Sequence, residues 1–306
     1  MNKKGYLIMY KIITPVITVF DEHEKPDYEA NKKVIDFLVQ GGVDGILVLG
    51  STGEFTGLTK KEKSDFFKFY AEYTNHRVEL YAGTGCMNFE ETVELSNDIY
   101  SMGYAAPMVI GPYYYGLDQE KIFIFYDTLA KALKGDLYIY NFPARTGHSI
   151  APQTVKKLLE ENKNIVGLKD SVPDPNHTNL ICLEAEGHVF TAYSGFDDQF
   201  LYNISSGGNG CIGGLSNIVP EIWSDLVKAS NNKDFERSLR MSYLIHKLMP
   251  LYDMDSNFSL LFKKLMVHRG VDISTKAIFP FDQIQDTVYK KAETLLDSVL
   301  GEYRKL

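Results

Sequence analysis

The sequence predicts an α/β fold, a (β/α)8 TIM barrel with a C-terminal helical appendix. Three observations carry that expectation. Short apolar runs alternate with helix-like stretches over residues 1–230, and regular alternation of strand and helix implies a parallel sheet. The pattern repeats eight times at about thirty residues per unit, which is the count of a closed eight-stranded barrel. No glycine-rich dinucleotide fingerprint follows an early strand, which disfavours the runner-up, a doubly wound open sheet.

The first strand is expected over Ile12–Val19, behind a short tail. Met1–Phe20 faintly imitates a signal peptide, but Lys11 and Pro15 interrupt it and no small-residue cleavage site follows. The first helix is expected over Tyr28–Gln40. Gly45–Leu49 is the second strand, running into Gly50-Ser51-Thr52-Gly53-Glu54, with a helix over Lys60–Tyr73. Val78–Ala82 and Ala105–Ile110 follow as strands, each with its helix, Phe89–Ser101 and Gln119–Leu133. Leu137–Tyr140 and Ile165–Lys169 are the fifth and sixth strands, with helices over Pro152–Glu161 and His177–Glu184. Val189–Tyr193 and Gly210–Ile212 complete the set, with helices over Asp197–Ser205 and Ile218–Ala229. From residue 231 to 306 the alternation stops. That stretch reads as an extension of about three helices packed on the barrel, broken at Pro250 and around Phe279-Pro280.

The chain has 306 residues, of which 44% are hydrophobic, enough for a sizeable core. A formal charge of −8 argues against a nucleic-acid partner. It leaves room for an anionic substrate, because one Arg or Lys can dominate a pocket. Cys86, Cys182 and Cys211 are too few and too scattered for a disulfide framework or a zinc site, which fits a reducing cytoplasm. The seven histidines show no ligand spacing, so no metal is expected, and the reaction is expected to need no organic cofactor. No stretch is long and apolar enough to span a membrane.

In barrels of this kind the chemistry sits at the C-terminal strand ends and in the loops after them. There the sequence places Lys169, closing the apolar run Asn164-Ile165-Val166-Gly167-Leu168. Burial disfavours a charged amine, so the lysine is expected to have a lowered pKa, and a neutral amine attacks carbonyls to form a Schiff base. The plain alternative is a snorkelling lysine at a strand end. Tyr140, near the end of strand five, is the natural proton shuttle, with Ser51 and a tyrosine of Tyr113-Tyr114-Tyr115 as relay. The tyrosine cluster also suits interface packing. Gly50-Ser51-Thr52-Gly53 offers backbone N–H groups and two hydroxyls, either a carboxylate cradle or a glycine-rich turn. Ile212 supplies an apolar wall or simply core. Arg145 either clamps a second carboxylate or forms a surface or inter-subunit ion pair. Asp197 and Asp198 either bind substrate hydroxyls or cap the following helix.

With these residues in order, the sequence resembles the dihydrodipicolinate synthase / N-acetylneuraminate lyase family of pyruvate-dependent class I aldolases. The resemblance runs from Thr14-Pro15-Val16 into the C-terminal helices. It rests on Gly50-Ser51-Thr52-Gly53-Glu54, Pro112-Tyr113-Tyr114, Tyr140-Asn141-Phe142-Pro143, Val166-Gly167-Leu168-Lys169-Asp170 and Gly195-Phe196-Asp197-Asp198. It implies that Lys169 is the Schiff-base lysine and Tyr140 the catalytic tyrosine. By the same resemblance Ser51 and Thr52 are the carboxylate and relay pair, and Tyr114 is the tyrosine that a neighbouring subunit inserts. A homo-oligomer, tetramer or dimer, follows from that exchange. Pyruvate and an aldehyde, or a 2-keto acid, would be the small-molecule partners. Ser51-Thr52, Asp170 and the extra residue in Gly195-Phe196-Asp197-Asp198 resemble sialic acid lyases and 2-keto-3-deoxy-sugar-acid aldolases. Arg145-Thr146-Gly147 resembles the synthase arginine that holds aspartate semialdehyde. Sialate lyases usually have a hydroxyl residue in place of Gly214. Met87 stands where lysine-inhibited synthases use asparagine, against lysine feedback. The whole pattern most resembles the keto-deoxy-sugar-acid aldolases. A dihydrodipicolinate synthase and an N-acetylneuraminate lyase are the enzyme alternatives, and a non-catalytic keto-acid sensor is the alternative from another class. A binder has no need of an amine beside a proton relay.

Overall fold

Eight parallel strands close a barrel in sequence order: β1 (Lys11–Pro15), β2 (Gly45–Val48), β3 (Glu79–Ala82), β4 (Ala106–Ile110), β5 (Leu137–Asn141), β6 (Ile165–Asp170), β7 (Thr191–Ser194) and β8 (Gly210–Cys211). The computed structural model describes residues 9–306, and the expected tail up to residue 8 lies outside them. Helices follow the strands: α1 (Tyr28–Gly41), α2 (Lys60–Thr74), α3 (Phe89–Ser101), α4 (Gln119–Ala132), the single turn α5 (Pro143–Thr146), α6 (Pro152–Glu161), α7 (Pro175–Glu184), α8 (Phe200–Ser205) and α9 (Pro220–Asn231). Three further helices follow: α10 (Phe235–Leu248), α11 (Phe258–His268) and α12 (Asp286–Tyr303). Pro250 falls in a 3-10 turn directly after α10, and Phe279-Pro280 in the segment before α12.

The chain forms two compact units. One runs from Glu79 to Ile212 and includes Lys11; the other joins Ile12–Val78 to Gly213–Leu306. In the first, β3 to β8 pair in series. Val109, Ile139 and Leu168 turn outward from β4, β5 and β6 into a core with Ile122, Tyr126 and Leu129 of α4 and Val155 and Leu158 of α6. In the second, β1 pairs with β2, and the C-terminal helices α10 to α12 fall in this same unit.

Local chemistry sets where elements begin. Asp27, Thr59, Asn88, Asp118 and Asp174 cap α1, α2, α3, α4 and α7 by accepting from first-turn amides. Pro152, Pro175 and Pro220 each open a helix at a position with no need of an N–H. That is why α7 starts at Pro175 rather than at His177 as expected, and α9 at Pro220 rather than at Ile218. The first strand leaves the ladder at Pro15 instead of continuing to Val19. The Ile17 and Val19 amides donate instead to the side-chain oxygens of Asn217 (3.1 Å) and Asn31 (3.2 Å). Strand seven begins at Thr191, because Val189 is 80% exposed and outside the ladder. The helix expected over Asp197–Ser205 is split into a 3-10 turn, Asp197–Gln199, and α8.

Candidate active site

Side chains of a strand alternate between faces, so neighbours along β5 and β6 serve different layers. The register pairs Tyr140 with Lys169 and Asn141 with Asp170. Tyr140 and Lys169 share one face with Tyr138, whose ring meets those of Tyr81 (5.4 Å between centroids) and Tyr193 (6.3 Å). Lys169 and Tyr140 are 4% and 5% exposed, and Lys169 Nζ lies 4.5 Å from the centroid of the Tyr140 ring. An amine over the face of a tyrosine ring sits beside a side chain that can carry protons. The buried Ser171 hydroxyl stands 3.5 Å from Tyr140 Oη, and the Tyr140 ring stacks on Phe142. β6 does not end at Lys169, as the sequence suggested, but continues to Asp170.

Asp170 is fully buried on the opposite face. Its carboxylate accepts from Asn141 Nδ2 (2.9 Å) and Thr178 Oγ1 (2.8 Å), and His177 Nδ1 lies 2.8 Å away. Burial alone would lower the His177 imidazole, but the hydrogen bond and charge of Asp170 outweigh it, and its pKa is raised.

The segment after β7 packs against the segment after β6. The Gly195 amide donates to the Asp170 carbonyl at 2.7 Å. A Cβ on Gly195 would stand 1.9 Å from Ser171 Oγ, so only glycine permits this approach. Asp197 is buried and Asp198 exposed. Neither occupies an N-cap position: the residue before the 3-10 turn is Phe196, and the N-cap of α8 is Gln199. Gln199 instead donates to the Val172 and Pro173 carbonyls at 3.0 and 3.1 Å. Ile212, fully buried, extends the β8 ladder through its amide, which donates to the Ser194 carbonyl at 2.8 Å. Burial pushes the Cys211 thiol beside it well up, so the thiol is inert.

Arg145 lies on α5 rather than in a loop, with its guanidinium 6.0 Å from the centroid of the Phe142 ring. Among the described residues it has no carboxylate partner, so the ion pair expected as its alternative is not made within the chain. After β4, Tyr114 is 85% exposed, stacks edge-on against Tyr115 and has a φ of 88°. That backbone conformation is costly for a non-glycine residue.

The loop after β2 belongs to the second unit. Ser51-Thr52-Gly53 forms a 3-10 turn flanked by left-handed Leu49 (φ 57°) and Glu54 (φ 55°). The Gly53 carbonyl accepts from Thr18 Oγ1 at 2.8 Å, and a Cβ on Gly53 would lie 3.1 Å from the Val16 carbonyl oxygen. The Glu54 carboxylate pairs with Lys263, fully buried on α11, and accepts from the Ile278 amide at 3.1 Å. Lys263 also donates to the Lys276 carbonyl at 2.7 Å and stands 4.7 Å from the Phe20 ring centroid. This buried pair holds a strained turn from outside it.

The model of the dihydrodipicolinate synthetase family matches residues 9–299. The chain belongs to that family. As a member it is an enzyme, a class I aldolase or carbon–carbon lyase. The putative 2-dehydro-3-deoxy-D-gluconate aldolase YagE of Escherichia coli is 30% identical over 290 residues, covering 94% of this chain and 96% of that protein. A 4-hydroxy-tetrahydrodipicolinate synthase of a Hydrogenobaculum species is 31% identical over 245 residues, covering 80% and 83%. Among solved structures, that of YagE with pyruvate aligns at a TM-score of 0.91 and 30% identity, over 95% of this chain and 98% of that one. Dihydrodipicolinate synthase of Aquifex aeolicus aligns at 0.88 and 29%, over 97% and 98%.

Sequence reasoning missed Ser171, the Asn141–Asp170–His177 network, Gln199 and the Glu54–Lys263 pair. The first two carry a readable signal. Asp170 and Ser171 directly follow Lys169, and strand alternation sends an aspartate beside an inward lysine to the outer layer, where a buried carboxylate must find donors. The Glu54–Lys263 pair spans 209 residues and has no local signal.

Proposed function

We propose that the chain is a pyruvate-dependent aldolase acting on 2-keto-3-deoxy sugar acids through a Schiff base on Lys169. The observation that carries this reading is the buried Nζ of Lys169 set 4.5 Å from the Tyr140 ring centroid. Nζ attacks the C2 carbonyl of the keto acid to give a carbinolamine. Loss of water, with protons moved by Tyr140, gives the iminium. The C3–C4 bond then breaks, its electron pair passing into the iminium as an enamine, while Tyr140 takes the proton of the C4 hydroxyl and the aldehyde leaves. Protonation of the enamine at C3 and hydrolysis release pyruvate. Ser51 and Thr52 hold the carboxylate and relay protons. Tyr114, exposed and held in a costly conformation, enters the site of a second copy of this chain, which makes the working form a homo-oligomer. Asp197 and Asp198 meet the aldehyde's hydroxyls, and Gly195, packed directly on Ser171, sets the course of the backbone that carries them.

The covalent step is tested by borohydride trapping with pyruvate. The adduct mass is expected on the peptide containing Lys169 and absent in Lys169→Ala. An active enzyme that traps on another lysine, or on none, would sink the mechanism.

The second reading, condensation of pyruvate with aspartate semialdehyde, is favoured by one observation: Arg145 has no carboxylate partner among the described residues and its fork of donors suits one. A panel of keto-deoxy sugar acids, sialic acid and aspartate semialdehyde separates the two. Asp197→Ala is expected to impair sugar-acid cleavage more than Arg145→Ala. Efficient condensation with aspartate semialdehyde, lost in Arg145→Ala and kept in Asp197→Ala, would reverse the assignment.

A further inference from the structure

Behind the reacting face of β5 and β6 lies a second, fully buried pair of strand neighbours. Asn141 follows Tyr140, Asp170 follows Lys169, and the register sets each pair side by side. The outer pair is bonded directly, Asn141 Nδ2 to Asp170 Oδ1 at 2.9 Å. The other carboxylate oxygen, Oδ2, meets Thr178 Oγ1 and His177 Nδ1, each at 2.8 Å, both from α7. Asn141 is fixed in turn: its Oδ1 accepts from the Ile150 amide at 3.0 Å. The carboxylate thus joins two strands and a helix at the level of the reactive lysine. A one-residue slip of β6 against β5 would break all three contacts of the Asp170 carboxylate together.

The imidazole of His177 faces two acceptors, the Asp170 carboxylate and the Ile150 carbonyl. A neutral ring has one N–H and cannot donate to both; an imidazolium can. The charged groups acting on it are Asp170 from β6 and Asp174 from the start of its own helix. β5 presents the neutral Asn141 amide. Cys182, further along α7, has a thiol pushed up to about 11 by burial and by the Asp170 charge, so it stays neutral.

We infer that Asp170 is a positioning residue for the Schiff-base chemistry, and that the His177 imidazolium locks its carboxylate so that Lys169 is held in register against Tyr140. The inference rests on the reading of Lys169 as the nucleophile. Neither residue touches substrate; both act through the strand that carries the amine. The sign of the pH effect follows from the raised imidazole. The lock is complete below the ordinary histidine range and is lost as pH rises through the raised value.

The experiment is quenched-flow borohydride trapping with pyruvate on wild type, Asp170→Asn and His177→Asn, from about pH 6 to about pH 9. Asp170→Asn keeps the size and removes the charge. It is expected to trap about 10²-fold more slowly, the cost of misplacing a reacting group by about an ångström, with a nearly unchanged KM for pyruvate. His177→Asn keeps a neutral donor toward the carboxylate. Its rate should fall between the other two at neutral pH and show less loss toward alkaline pH than wild type. If Asp170→Asn does not fold, the His177→Asn profile decides alone. Wild-type rates and a wild-type pH profile in the folded variants overturn the inference while leaving the lysine chemistry standing. An adduct missing from wild type itself overturns the Lys169 reading and this inference with it.

Discussion

Lys169 and Tyr140 meet because a parallel ladder puts paired residues of adjacent strands on the same face. The tyrosine hydroxyl is therefore the group to remove first. Tyr140→Phe changes little volume, so folding should survive while turnover falls by about 10²-fold, the scale of general acid–base catalysis. Near-normal turnover would reduce the ring to a packing surface for the lysine. A second buried amine, Lys263, serves structure instead. Burial pushes its pKa down while Glu54 pulls it up, and the net direction is down. Lys263→Met leaves the Glu54 carboxylate facing an apolar chain and should cost about 3–5 kcal/mol in urea unfolding. Adding Glu54→Gln, which keeps an acceptor for the Ile278 amide, should recover much of that loss. A single variant as stable as wild type would show that the pair does not hold the β2 loop.

Elements take their limits from short-range chemistry that the packed barrel then overrides in places. α2 begins in a capping box, where the Thr59 side chain accepts from the Glu62 amide and Glu62 Oε2 accepts from the Thr59 amide at 2.9 Å. Thr59→Ala should destabilise by about 1 kcal/mol. The Lys25 ammonium first, and then Thr59, hold the Glu62 carboxyl well down, from 4.5 to about 2. A depressed carboxylate contributes stability above its unfolded value and loses it as pH falls toward the folded one. Acid titration of stability should therefore show a decline between about pH 4.5 and about pH 2 that is smaller in Glu62→Gln. An identical decline in both proteins would assign the acid loss elsewhere.

At the scale of the whole molecule the eight strands close a barrel, and the tyrosine pair after β4 is exposed. Tyr114 and Tyr115 meet edge to face, 4.9 Å between ring centroids, and both are largely exposed. If Tyr114 completes the site of a second copy, Tyr114→Phe and Lys169→Ala should each be nearly inactive. Mixed assemblies of the two should recover activity, since one site then receives an intact lysine from one copy and an intact tyrosine from the other. A mixture as inactive as its parents, in particles shown to be hybrid, would confine the site to one chain.

The sequence by itself determined the eightfold alternation, the family, and the strands β5 and β6 near whose ends Tyr140 and Lys169 stand. Those follow from period, length and residue type, all local in the chain. It also placed Gly195 correctly after strand seven, because a glycine there is a local event. It did not determine which face each residue serves or what lies behind it. The end of β1 at Pro15 was decided by Asn217 and Asn31, one of them 200 residues away, offering oxygens to its amides. For Asp197 and Asp198 the sequence left hydroxyl binding and helix capping both open, and the structure sets them inside a 3-10 turn before α8, neither at an N-cap position. Arg145 looked like a loop residue until Pro143 started a helical turn. Asp170 was named only as a family mark; the tertiary structure alone gave it Asn141, His177 and Thr178. The physical reason is the same throughout. A buried polar group must be satisfied, and its partners come from elements that are neighbours in space and strangers in sequence.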